Sequence, residues 1–253
     1  MLRKVPLSTR YLGVIQSSPT TRKRRFGSSV DKEHPREHHL VESTKKWIDR
    51  VVIGEKLCPF ATPLRDSNSI RIVASGAQSA AEATVDVAVE LDQLLRPKMH
   101  WENENNLTTT LCDITPNLGE KDTVIRSHET TLIVFDGAFV QDFHEFVRLS
   151  WILQSDAVVK GGFDHDVQLV LFHPTAKHQT YGTDEADGNA ADYTIRSPYP
   201  LIHLLREADV MRAVSGRYPN LEALPSRNKK KLVAQGSSIC KNRLLDCYVP
   251  KVP

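Results

Sequence analysis

The sequence predicts an α+β or α/β fold in which a small sheet of at least three strands is layered with helices. Three short apolar runs, at about 70–74, 131–135 and 167–172, are typical of strands. Longer stretches with apolar residues at helical spacing separate these runs, and this alternation favours helices packed on a sheet. The chain of 253 residues is 40% apolar and 25% charged, which is ordinary for globular proteins, so we expect a packed core.

Each element is predicted from its own periodicity. The run at 70–74 alternates, whereas 167–172 is almost continuously apolar, which indicates a strand that is buried on both faces. Proline at position 97 ends one amphipathic helix, because proline cannot continue a helical hydrogen-bond pattern. The predicted helices cover residues 40–56, 79–95, 139–153, 200–214 and 227–234.

The first 38 residues are interpreted as a basic leader followed by a linker. Residues 1–30 contain seven Lys or Arg, eight Ser or Thr and no acidic residue, which is the composition of an organelle transit peptide. We therefore expect a mitochondrial or plastid protein. The alternative is a basic tail without targeting function, in which case the protein would be cytoplasmic.

The rest of the chain is predicted to form a single globular domain over residues 39–236. A polar stretch without steady periodicity, at about 98–128, is interpreted as a loop insertion, and residues 237–253 as a loose tail. No apolar run approaches the roughly 20 residues that span a bilayer, so we expect a soluble protein without a membrane partner. Residues 31–253 carry 26 basic and 31 acidic side chains, which argues against nucleic-acid binding. The oligomeric state is left open.

The polar stretch that leads into the predicted helix at 200–214 is the main candidate ligand site. On such a helix Tyr199, His203 and Arg206 would share one face, and Ser197 would cap the start. Helix N-termini favour anions, so a phosphate or carboxylate is the expected ligand. The ligand-binding candidates are Tyr193, Arg196, Ser197, Tyr199 and Arg206. The alternative is an ordinary solvated helix face.

Three further side chains are candidates for catalysis. His173 follows the buried strand at 167–172, at a position where α/β sheets gather ligands. Cys58 precedes a proline and could act as a nucleophile, and His203 could act as an acid or base. The alternatives are that His173 only stabilises a turn and that Cys58 is a buried structural residue. A zinc site formed by Cys58, His173 and His203 is also considered, although their spacing matches no known ligand pattern.

Three motifs in this order resemble the domain of unknown function 1415 family. They are residues 52–61 (VIGEKLCPFA), residues 172–174 (FHP), and residues 193–200 (YTIRSPYP) with 203–206 (HLLR). The resemblance covers about 40–235, with 98–128 as an insertion, and it implies the extent of the domain and the positions of its motifs. This family has no established activity. Its pattern has an asparagine where this chain has Ile195, which implies altered specificity or activity if that asparagine contacts a ligand.

Two functions remain open from the sequence. The first is an enzyme acting on a small anionic metabolite, held by Arg196 and Arg206, with the Cys and His residues performing the chemistry. The second is a non-catalytic module that binds a metabolite or another protein through the same arginines. Convergence of Cys58, His173 and His203 would favour the enzyme, and separate environments would favour the binding module.

Overall fold

Four strands and seven α-helices make up the part of the chain that the computed structural model describes, residues 37–95, 129–178, 189–216 and 221–251. The strands are β1 (Ile70–Ser75), β2 (Thr130–Phe135), β3 (Val167–Phe172) and β4 (Leu201–Arg206). The helices are α1 (His38–Trp47), α2 (Ala61–Asp66), α3 (Ala80–Leu95), α4 (Phe143–Leu153), α5 (Glu207–Gly216), α6 (Leu224–Gln235) and α7 (Ser237–Leu245).

The strands form one mixed sheet in the order β1-β2-β4-β3. Strands β1 and β2 are parallel, and β4 runs antiparallel to both of its neighbours. The last residues of β1, β2 and β3 therefore meet the first residue of β4 at one end of the sheet. We call this end the carboxyl edge; Ser75, Phe135, Phe172 and Leu201 mark it. The predicted fold class and its three strands are confirmed, but the prediction that the strand at 167–172 is buried on both faces is wrong, because β3 is an edge strand in which only Val167 is buried.

Helices cover both faces of the sheet. On one face, α3 and α4 pack side chains such as Leu91 and Phe146 against Ile202 and Leu204 of β4. On the other face, side chains of α1, α6 and α7 pack against β2 and against Leu201. We call these the α3 face and the α1 face. Successive strand residues point to opposite faces, so β4 contributes to both cores.

Four of the predicted helices are confirmed. The pattern at 40–56 corresponds to α1 and a π-helical continuation over Ile48–Ile53, and the pattern at 79–95 corresponds to α3. The pattern at 139–153 corresponds to a short 3₁₀ turn followed by α4, and α6 includes the whole of 227–234. Apolar periodicity was sufficient here because each helix buries one side only.

The predicted helix at 200–214 is wrong in its first half. Residues 201–206 form strand β4, and only Glu207–Gly216 is helical. Strand β4 lies between β2 and β3 and is covered on both faces, so it is a nearly continuous apolar run that periodicity cannot distinguish from a buried helix. No helix begins at Ser197 or Pro200. The expected helix-end anion site, and the shared helical face of Tyr199, His203 and Arg206, are therefore not formed.

The prediction of a loose tail from residue 237 is also wrong for the described part of that segment. Gly236, with φ of +88°, ends α6 and leads directly into α7. Cys240, Leu244 and Cys247 are buried in the core of the α1 face. Glycine suits this position because positive φ is costly for residues with a Cβ.

Two predictions fall on residues outside those described. The predicted insertion at about 98–128 lies there entirely, as does nearly all of the leader at 1–38, of which only residues 37 and 38 are described. Within the described ranges, no helix has the length and apolar character required to cross a bilayer.

Candidate functional site

The motif that leads into β4 begins with a compact 3₁₀ turn, Ala190–Thr194, which places Asp192 and Tyr193 in the interior. The side chain of Asn189 caps this turn by accepting a hydrogen bond from the Ala191 N–H at 2.9 Å. Asp192 Oδ1 accepts a bond from the backbone N–H of His178 at 2.8 Å. The turn is thereby fixed to the loop that follows β3, so that two motifs distant in sequence share one structure.

Arg196 is the central side chain of this structure and is only 8% exposed. Its Nε donates to the carbonyl of Ala176 at 3.0 Å, and its Nη2 donates to Asp192 Oδ2 at 3.4 Å. Its guanidinium carbon lies 4.6 Å from the ring centre of Tyr193, a cation–π contact. These three contacts fix the direction in which the guanidinium points.

Arg196 and Tyr193 open onto a small cavity between the 3₁₀ turn, α6 and α7. Its volume is about 10 Å³, close to the space of one water molecule. A second arginine, Arg243 on α7, also lines this cavity. The remaining lining residues are Val51, Leu232, Cys240 and Leu244.

The charged side chains around this cavity form ion pairs. Arg243 Nη1 lies 3.0 Å from Glu55 Oε1, and Lys231 Nζ lies 2.9 Å from Glu55 Oε2. Burial of the Glu55 carboxyl opposes its ionisation, but hydrogen bonds from Gln235 and Lys231 outweigh this and lower its pKa. Arg196, Arg243 and Lys231 thus share two carboxylate partners, those of Asp192 and Glu55.

Ser197 and Tyr199 shape the turn into β4. Ser197 is fully buried and its hydroxyl donates to the carbonyl of Tyr199 at 2.6 Å. The Tyr199 ring makes edge contacts with the rings of His39 and Tyr248, at 5.7 and 5.4 Å between centres. Burial raises the pKa of Tyr199, which also hydrogen-bonds Ser43. Both residues lie at the carboxyl edge, where they fix the backbone of the turn.

His173 lies at the carboxyl edge on the α3 face. Its ring packs against Phe143 and Phe146, at 5.5 and 5.4 Å between centres. Its Nδ1 accepts a bond from the Thr175 N–H at 3.1 Å, so Nε2 carries the proton and donates to the Val140 carbonyl at 3.0 Å. Burial lowers the pKa of His173. The ring is therefore neutral, with both nitrogens bonded to the protein.

His203 lies within β4, and strand alternation directs its side chain to the α1 face, opposite to Ile202 and Leu204. The hydroxyl of Thr130 donates to the Leu204 carbonyl at 2.9 Å, so it accepts from His203 Nε2, which lies 2.5 Å away. Burial lowers the pKa of His203 to about 4. This imidazole is also neutral near pH 7.

Arg206 lies at the opposite end of the sheet from the carboxyl edge. It pairs in register with Val167, the first residue of β3, and its Nε donates to Asp209. It is buried on the α3 face, and its Nη1 has no hydrogen-bond partner among the described residues. Arg196 and Arg206 are therefore not in one site.

Cys58 belongs to a turn beside the N-terminal half of α6. Burial raises the pKa of its thiol, although backbone N–H groups of Phe60 and Ala61 bond to it. Asn228 of α6 donates to the neighbouring Leu57 carbonyl at 2.7 Å and fixes this turn. The thiol is consequently protonated near pH 7.

The structure brings together only part of the expected site. Tyr193 and Arg196 lie side by side, whereas His173 and His203 lie on opposite faces of the sheet. No three His, Cys, Asp or Glu side chains within the described ranges could together bind a metal ion, so Cys58, His173 and His203 do not form the zinc site that was considered. Arg243 and Cys240 were missed because they lie in the segment interpreted as a tail. The helical spacing of Cys240, Leu244 and Cys247 is the sequence feature that could have predicted a buried helix here.

The neutral state of His203 predicts a specific loss of stability in acid. The unfolded chain takes up this proton as the pH falls through about 6.5, and the folded chain does so only near 4. Protonation therefore favours the unfolded state across this window, and we expect a loss on the order of 2 kcal/mol after allowing for the partial exposure of this residue.

Urea unfolding at pH 7, 5.5 and 4.5 measures this effect. His203→Gln keeps a donor for Thr130 and cannot be protonated, so its stability should fall less steeply with acid than that of the wild type. Identical pH slopes for the two proteins would show that His203 does not titrate in this way.

Comparison with known proteins identifies a family and nothing more specific. No curated protein and no solved structure matches the chain. The family model described as "Protein of unknown function (DUF1415)" matches residues 39–123 and 97–242, and so includes the Cys58 turn, the loop after β3, the 3₁₀ turn and most of α7. The resemblance that the three sequence motifs indicated is confirmed, and the chain belongs to this family of unknown function.

Proposed function

We propose that the protein binds a small anionic ligand, a carboxylate or a phosphate, at the cavity lined by Arg196 and Arg243. The observation that carries this proposal is that two arginine residues, Arg196 and Arg243, line the same small cavity. Arg196 pairs with Asp192 and Arg243 pairs with Glu55, so an anion in the cavity would accept hydrogen bonds from the N–H groups that these pairs leave. Arginine is also the side chain best suited to bind carboxylate and phosphate oxygens.

The donors that remain on the two arginines support this proposal. Arg196 uses Nε and one Nη2 hydrogen for the protein, and Arg243 uses Nη1 for Glu55 and Gln235. Each guanidinium has five N–H groups, so several have no partner among the described residues and remain for a ligand. Because the cavity holds about one water molecule, a ligand would place a single oxygen atom in it unless α7 moves.

The environments of the two histidines favour a protein that binds its ligand without catalysing a reaction. His173 and His203 are both neutral, both bonded to the protein, and on opposite faces of the sheet. Cys240 is the thiol that lines the cavity, and burial raises its pKa, so it is not an activated nucleophile. These features support the metabolite-binding module rather than an enzyme that uses Cys58, His173 and His203.

The proposal is tested by ligand-dependent thermal unfolding with phosphate, acetate and citrate. A ligand at 100 times its Kd stabilises the folded state by about 2.7 kcal/mol, which is readily detected as a rise in Tm. Arg243→Gln is the most informative variant, because Lys231 still neutralises Glu55 and the fold should persist. We expect at least tenfold weaker binding in this variant.

Arg148→Gln is the matched control. Arg148 is on α4, its side chain is 69% exposed, and its ion pair with Glu145 is on the surface. This substitution should leave anion affinity unchanged. If Arg243→Gln and Arg148→Gln bind each anion as the wild type does, the proposed site is wrong.

A further inference from the structure

The last described residues of the chain lie across the carboxyl edge of the sheet. We call Tyr248, Val249, Pro250 and Lys251 the C-terminal strap. The Tyr248 hydroxyl bonds to the Pro198 carbonyl at 2.5 Å, and the Val249 N–H bonds to Ser43 Oγ at 2.9 Å. Lys251 Nζ lies 3.2 Å from Asp136 Oδ2. The strap thus contacts the turn before β4, helix α1 and the residue after β2.

In all three contacts the strap donates and the edge accepts. Burial raises the pKa of Tyr248 to about 12, so its hydroxyl remains protonated and donates. The backbone N–H of Val249 and the ammonium of Lys251 can only donate. The carboxyl edge and helix α1 therefore present three acceptors to the strap: a carbonyl, a hydroxyl oxygen and a carboxylate. Such a surface is complementary to a cationic ligand with several N–H or O–H groups.

The fold holds these acceptors in place independently of the strap. Asp136 directly follows Phe135, which ends the central strand β2 and is fully buried. The turn that contains Pro198 is fixed by the bond from Ser197 to the Tyr199 carbonyl. Ser43 is fully buried on α1 and bonds to Tyr199. Fixed polar groups at the carboxyl ends of strands are where open α/β sheets bind ligands.

The Lys251 end of the strap is weakly anchored, whereas the Tyr248 ring makes an edge contact with Tyr199 at 5.4 Å between centres. None of its residues belongs to either hydrophobic core. The Lys251 side chain is 66% exposed, and exposed ion pairs contribute little to stability. Pro250 has no N–H to donate. A ligand with stronger donors could therefore displace the strap without disturbing the sheet.

We propose that the carboxyl edge is a binding site for a primary ammonium compound with a second donor group, of the diamine or amino-alcohol class, and that the C-terminal strap occupies it as an internal pseudo-ligand. The ammonium of the ligand replaces that of Lys251 on Asp136, and its other donor replaces Tyr248 or Val249. This site is separate in position and opposite in charge preference to the arginine cavity.

Titration calorimetry of the full-length protein with 1,5-diaminopentane tests this site. Lys251→Gln removes the competing ammonium and leaves the acceptors, so we expect three- to fivefold tighter binding than to the wild type. Adding Asp136→Asn removes the carboxylate and should weaken binding at least tenfold relative to Lys251→Gln alone. Both substitutions lie at exposed or half-buried positions, and circular dichroism checks that the fold is retained.

Lys160→Gln provides the matched control. Lys160 forms an exposed ion pair with Asp156 far from the strap in sequence, so this change should not affect diamine affinity. Arg243→Gln should also leave it unchanged, which distinguishes this site from the anion site. Equal affinity of the wild type and Lys251→Gln, or unchanged affinity after Asp136→Asn, would overturn the proposal, as would the absence of binding to Lys251→Gln.

Discussion

Asp192→Ala is expected to lower the free energy of unfolding by about 3–5 kcal/mol. Asp192 is 3% exposed, and its two carboxylate oxygens accept from Arg196 and from the His178 backbone. Removing it leaves a buried guanidinium without its counter-charge and a backbone N–H without its acceptor. Both losses are costly in the interior because neither group regains water. Urea unfolding at pH 7 measures the change.

Asp49→Ala is the matched control for this substitution. Asp49 also pairs with an arginine, Arg65, but the side chains of both are about 40% exposed. Its removal should cost less than about 1 kcal/mol. Similar losses for Asp192→Ala and Asp49→Ala would mean that the 3₁₀ turn does not depend on a buried ion pair.

Ile202→Ala is expected to cost about 2–5 kcal/mol, the usual range for truncating a fully buried aliphatic side chain. Ile202 is fully buried because it is in the middle of the sheet and points into the core of the α3 face. On the helix that the sequence predicted, Ile202 would instead lie beside the apolar face. Equilibrium unfolding of this variant therefore distinguishes the strand from the helix directly.

Leu205→Ala provides the comparison. Leu205 is in the same strand but is only partly buried, so its truncation should cost distinctly less than that of Ile202. On a helix the order would be reversed, because position 205 would share the buried face with 201 and 204. A larger loss for Leu205→Ala would contradict the described register of β4.

The sequence predicted helices with one apolar side and strands that polar segments set apart, including the fully buried β2. Helices α3, α4 and α6 each have one apolar side, and β1 to β3 are short apolar runs between polar segments. The pattern failed at β4, because this strand runs directly into α5, so that the apolar residues of both together have helical spacing. It also failed at α7, because this helix has few buried residues. Cys240 and Leu244 can be recognised as core residues only in the tertiary structure, where they pack against α6 and the 3₁₀ turn.

The candidate site could also be predicted only in part, because most of its contacts form only in the tertiary structure. Tyr193 and Arg196 are in one short motif, so local sequence was enough to select them. Arg243 is far along the chain and reaches Arg196 only through the docking of α7. The roles of His173 and His203 depend on which carbonyl or hydroxyl lies beside each ring, namely Val140 and Thr130. Such partners are set by tertiary structure and leave no signal in a single sequence.

We propose that Arg196 and Arg243 together form an anion site. The most direct measurement is a structure determined from crystals grown in bromide. The anomalous signal of bromide locates the ion without ambiguity. We expect a bromide within hydrogen-bonding reach of both guanidinium groups, and its loss in Arg243→Gln crystals. Bromide bound elsewhere on the surface, with none between Arg196 and Arg243, would contradict this account.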